Sequence, residues 1–172
     1  MRRVTSWPLV PTSQRAWRGV QALLTVAGAY TDPDLRPLIP AIRQLAAGLP
    51  ARHDALPLPE FLAELTPAAA DMTALDHDRL RSLVDALARS DRRHPFGLCL
   101  RRSLLRYHFL RRAGLSLGIT FGVRIRQPHE PPGLAGHAWN TLGGRPWCEN
   151  EEDYRGFTVL YAWPPEPDQA AP

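Results

Sequence analysis

The sequence predicts an α+β fold: N-terminal helices, then one cysteine-bearing helix packed on a small antiparallel sheet. Three observations predict it. Over the first ninety residues, apolar side chains recur at helical spacing between prolines. After Gly114 the period changes, and Ile119, Phe121, Val123 and Ile125 alternate with Thr120, Gly122, Arg124 and Arg126, as in a half-buried strand. Finally, residues 137–141 and 146–150 flank Leu142-Gly143-Gly144-Arg145, a strong hairpin signal.

In chain order, Trp17, Val20, Leu23, Leu24 and Ala27 define a first helix, with Thr12 or Ser13 as its N-cap. Leu38 to Leu49 reads as a short helix ending near Gly48. Pro57 and Pro59 introduce Glu60 to Leu65, a helix with proline in its first turn. Asp76 or Thr73 caps a further helix whose Leu80, Leu83, Val84 and Leu87 fall on one face. Pro95 and Gly97 mark a break before Cys99. From Leu100 the apolar positions Leu104, Leu105, Phe109 and Leu110 continue to Gly114, a natural C-cap. Residues 127–135 form a loop rich in turn formers, and Phe157 to Ala162 forms the last strand.

The 172 residues suffice for one globular core without disulfides. We divide the chain into a helical N-terminal region (1–90), a core (91–164) and a Pro-rich, frayed tail (165–172). All 21 basic residues are arginine, and the net charge of +4 suits an acidic partner without choosing its class. Met-Arg-Arg runs into Trp7-Pro8, unlike a secretory signal, and no apolar run approaches membrane-spanning length. A cytoplasmic protein with two free thiols, no membrane contact and no cofactor is expected.

The candidate chemistry lies at Cys99, His137 and Glu149. A thiolate at a helix N-terminus is stabilised by the unpaired N–H groups and the macrodipole there. A histidine takes the thiol proton and a carboxylate orients the imidazole. In a hairpin centred on Gly143-Gly144, His137 faces Glu149 or Asn150, and either side chain is able to accept from the ring. Glu151 and Asp153 lie close by. The Cys99 N–H is the natural first oxyanion donor. Trp139 shares the face of His137, whereas Cys148 is expected in the core. No Cys-x-x-Cys or His-Glu-x-x-His motif suggests a metal site. Arg101, Arg102, Arg106, Arg111 and Arg112 fit the solvated face of an amphipathic helix rather than a nucleic-acid surface, and His94, His108 and His129 read as structural or solvent-facing.

Several blocks in order resemble the lasso-peptide biosynthesis B2 proteins, leader peptidases with a transglutaminase-like, papain-like core. They are Cys99-Leu-Arg-Arg-Ser-Leu-Leu, Leu110-Arg-Arg-Ala-Gly-Leu115, Phe121-Gly-Val-Arg124, Gly136-His-Ala-Trp139 and Gly144-Arg-Pro146. The resemblance runs from Gly97 to about Trp163. It implies Cys99 as nucleophile, His137 as base and Glu149 as acid, where the family usually carries Asp. It also implies a cysteine peptidase that cuts a precursor peptide between leader and core, with threonine preferred as the second-last leader residue. The freed core then passes to a separate lasso cyclase. Because residues 1–90 lack clear alternating strands, a separate leader-recognition B1 protein is expected. The alternatives are an acyl transferase or amidase using the same Cys-His pair, and a non-catalytic scaffold.

Overall fold

The computed structural model describes residues 12–91, 93–128 and 130–165. His129 and most of the expected tail lie outside that range. Five helices come first: α1 (Thr12–Thr31), α2 (Leu38–Ala55), α3 (Leu58–Leu65), α4 (His77–Ser90) and α5 (Leu98–Arg112). The strands β1 (Leu117–Ile125), β2 (Leu134–Leu142) and β3 (Arg145–Pro146) follow, then the one-turn α6 (Glu151–Tyr154) and β4 (Thr158–Trp163). The sheet is antiparallel in the order β3-β2-β1-β4. The α+β reading therefore stands.

Local chemistry explains most boundaries. Asp76 caps α4 by accepting from the Arg79 N–H at 2.8 Å. Pro59 occupies the first turn of α3. At the end of α5, Gly114 adopts φ 96°, and the N–H groups of Gly114 and Leu115 return to the carbonyls of Arg111 and Leu110. This is the left-handed stop that glycine favours.

Three expectations need correction. Thr12 and Ser13 already lie within α1 rather than capping it. Helix α2 runs past Gly48 and through Pro50 to Ala55. Proline cannot donate to the carbonyl four residues back, which is Ala46. That oxygen instead accepts from His94 Nε2 at 2.8 Å, so a side chain from the α4–α5 loop replaces the missing backbone bond. The third correction concerns the arginines of α5. Arg101 and Arg106 are buried, because α5 is the central helix and has no solvated face over this stretch.

Helix α5 packs between α4 and the sheet. One apolar core joins Ile39 and Ile42 of α2, Phe61 of α3, Leu83 of α4, Leu104 and Phe109 of α5, and Ile119 of β1. By the period of two, Leu117, Ile119 and Phe121 of β1 share a face with Ala138 and Asn140 of β2. Gly118, Thr120 and Gly122 face the other way, with His137, Trp139 and Thr141.

Candidate active site

The arrangement begins at an open strand edge. Strand β3 pairs only with Thr141 and Leu142, so β2 has no ladder partner on that side before Asn140. Unpaired edge groups need other partners. Helix α5 supplies them at Ala138. Ser103 Oγ donates to the Ala138 carbonyl at 2.9 Å, and the Ala138 N–H lowers the pKa of the Cys99 thiol. Cys99 and Ser103 are four residues apart, one above the other on the helix. Asn140 completes the clamp: its Nδ2 donates to the Ser103 carbonyl at 3.0 Å and reaches the Gly118 carbonyl at 3.3 Å. The nucleophile candidate is thus fixed against the residue that follows His137.

Cys99 lies half-buried in the first turn of α5, behind Gly97 as an N-cap without a side chain. The first intrahelical bond runs from the Arg101 N–H to the Gly97 carbonyl, which leaves the Leu98, Cys99 and Leu100 N–H groups without helical acceptors. Burial alone would push the Cys99 thiol up. The hydrogen bond and charge of His137, with the N–H groups of Ala138 and Leu100, outweigh it and hold the thiol below its ordinary value.

His137 pairs across the sheet with Gly122. Its ring stacks on Trp139 at 5.7 Å between centroids and 20° between planes, and lies 5.4 Å from Phe157. Trp139 stacks in turn on Tyr154 at 6.2 Å. Gly122 makes room for this column: a Cβ there would lie 2.8 and 2.9 Å from Trp139 ring carbons. Trp139, Tyr154 and Phe157 line a groove of about 540 Å³ together with Thr120, Trp163 and the Gly143-Gly144 turn.

Glu149 is placed elsewhere. Pro146 lacks a donor, and after Trp147 donates to the Asn140 carbonyl the chain turns at Cys148, which has φ 52°. Of the expected strand over 146–150 only Pro146 belongs to the two-residue β3, and Cys148 is exposed rather than in the core. Glu149 turns toward α5, with its side chain 1% exposed. It accepts from Arg102 Nη2 at 2.6 and 2.7 Å and from Arg106 Nη1 at 3.0 Å, while Arg106 also grips Asp85 at 2.6 and 2.7 Å. Burial raises the Glu149 carboxyl against the pull of both arginines. No hydrogen bond joins Glu149 to His137, and His137 Nε2 is buried without a partner. Asn150 is exposed and within 3.4 Å of Asp153, and Glu151 pairs with Arg155 at 3.7 Å.

The structure therefore brings Cys99 and His137 together and sets Glu149 into an arginine network. Sequence reasoning missed Ser103 and Asn140. Their signals were present, a serine one turn beyond the cysteine and an asparagine three residues past the histidine. Among the described residues, no group of three or more histidine, cysteine or acidic side chains is placed to hold a metal, and no helix is long and apolar enough to cross a membrane. His108 donates from Nδ1 to the Leu65 carbonyl at 2.8 Å, a structural contact.

Compared with known proteins, residues 42–162 match the family model described as the transglutaminase-like superfamily. No curated protein and no solved structure gives a significant match.

Proposed function

The chain belongs to the transglutaminase-like superfamily, and from that premise we propose that it is a cysteine peptidase removing the leader from a ribosomally made lasso precursor peptide. The observation that carries this reading is the contact of His137 with a thiol held below its ordinary value at the start of α5. In the proposed cycle, Cys99 Sγ attacks the scissile carbonyl as its proton passes to His137. The tetrahedral oxyanion accepts from the Cys99 N–H, which has no helical acceptor. His137 returns the proton to the leaving amine, and the leader remains as a thioester. Water, deprotonated by His137, then hydrolyses the thioester and frees Cys99.

Orientation of the imidazole falls to the Trp139–Phe157 stack in this reading. Glu149 acts at one remove, holding α5 to the segment after β3 through Arg102 and Arg106. A separate leader-recognition protein would deliver the precursor, and a cyclase would take the freed core. The exposed Trp17, Leu23 and Leu24 of α1 offer such a recognition protein an apolar face.

The test is intact mass spectrometry of the precursor incubated with the recognition partner and either the wild-type chain or Cys99→Ala. A single cut at the leader–core junction, present only with the wild type, is expected. Cleavage by Cys99→Ala at the wild-type rate would end the mechanism. A product carrying the mass of an added amine would move the activity to acyl transfer.

A further inference from the structure

Arg101 has no role in the chemistry above, yet among the described residues it is the least satisfied charge. It is 4% exposed, its Nε and Nη1 are buried without partners, and among the described residues no hydrogen bond reaches its guanidinium. The other arginines of α5 all find oxygen: Arg102 and Arg106 on Glu149, Arg111 on the Leu117 carbonyl, Arg112 on Asp71. A buried cation without a partner is strongly unfavourable unless something arrives to pair it.

Arg101 opens onto a pocket of about 380 Å³, on the opposite side of α5 from Cys99, whose walls include Arg89, Asp91, His94, Gly97 and Leu98. None of these answers it by hydrogen bonding. Asp91 acts on Arg101 by charge alone, and its Oδ1 accepts from the Arg93 N–H at 3.0 Å. His94 has both ring nitrogens committed, Nε2 to the Ala46 carbonyl and Nδ1 to the Phe96 N–H. The Leu98 N–H, at the first position of α5, has no helical acceptor.

We propose that this pocket binds a side-chain carboxylate of the peptide substrate, held by Arg101 and the N-terminus of α5. The proposal rests on the peptidase reading for the identity of the ligand. Charge selects the class: the one carboxylate near Arg101, Asp91, acts on it by charge alone, and Arg101 with the half charge of the helix end suits a monoanion rather than a phosphate dianion. End-on approach to Nη1 and Nη2 matches the two oxygens of a carboxylate. Geometry selects the position. Cys99 and Arg101 occupy one turn on opposite sides of a helix about 10–12 Å across, and the path around it is about 16–19 Å, roughly five extended residues. The acidic side chain therefore lies about five residues from the scissile bond.

The full-length chain is melted with three peptides: acetyl-Ala-Glu-Ala-amide, its Gln counterpart, and acetyl-Ala-Ala-Ala with a free carboxyl terminus. At tenfold excess over Kd, the Glu peptide is expected to raise Tm by about 3–6 °C in the wild type, and the Gln peptide to have no effect. Arg101→Met, relieved of its unpaired charge, melts above the wild type and does not respond. In the wild type, the Arg101 Nε–H resonance moves with the Glu peptide only, a readout that survives even if the variant fails to fold. No response to the Glu peptide, an equal response from Arg101→Met, or a response to the free-terminus peptide alone would overturn the proposal. Binding here needs neither Cys99 nor cleavage. A chain that binds the Glu peptide but never cuts a precursor would sink the peptidase reading and leave the pocket standing.

Discussion

Replacing Ser103 by alanine tests whether α5 is clamped to the edge of β2. Ser103 is completely buried, and its hydroxyl donates to the Ala138 carbonyl at 2.9 Å. Removing that donor leaves a buried carbonyl without its partner at an edge that no strand covers. Such an orphan costs about 1–3 kcal/mol. For a chain of this length each kcal/mol shifts Tm by about 2–4 °C, so a central loss of about 2 kcal/mol lowers Tm by about 4–8 °C. Ser103→Thr keeps the oxygen and separates the lost hydrogen bond from general disturbance of the helix. The clamp also bears on reactivity, because the N–H of the same residue of β2 helps to lower the Cys99 thiol. Misplacement of a reacting group by about 1 Å can lower a rate about 100-fold. The assay pairs calorimetry with the rate of Cys99 alkylation, read by mass spectrometry against Cys148 in the same molecule. A Tm within about 1 °C of wild type, about a quarter or less of the shift worked above, together with an unchanged Cys99 rate would refute the clamp.

Further expectations follow from neighbouring contacts. Cys99 is held below its ordinary value while burial raises Cys148, so at neutral pH Cys99 should alkylate first. In His137→Ala the two largest influences lowering Cys99 vanish and burial prevails, so the midpoint of its pH–rate curve should move up; an unchanged midpoint would mean that His137 does not act on the thiol. Glu149→Gln should leave Cys99 alkylation within about twofold, since no hydrogen bond links that side chain to His137; in precursor cleavage, a fall of about 10⁴-fold would instead make Glu149 the orienting acid of a triad. Gly122→Ala places a methyl 2.8 Å from the Trp139 ring and 3.1 Å from Phe157 Cβ, and overpacking of this kind costs about 1–3 kcal/mol. Urea denaturation should show a lower midpoint at constant slope.

Local signals made the helices and the central hairpin readable. Asp76, Pro59 and Gly114 each act through their own backbone, and alternation in β1 reports a face rather than a partner. Long-range compensation was invisible to the same reasoning. Pro50 reads as a helix breaker until His94, 48 residues from Ala46, takes over the abandoned carbonyl. Arg106 reads as a solvated charge until Asp85 and Glu149 enclose it. Reading Glu149 depended on a hairpin register that is correct where it can be seen, at Leu142 with Arg145 and Thr141 with Pro146. Extending that register failed at one non-glycine residue, Cys148, in the left-handed region. That turn sends the acid to the arginines of α5 and leaves the edge of β2 open for Cys99 and Ser103. The departure of Glu149 from the ladder and the capture of Ala138 by α5 are thus two consequences of one short strand. Lengthening β3 would force the carboxylate and the helix to compete for the same edge.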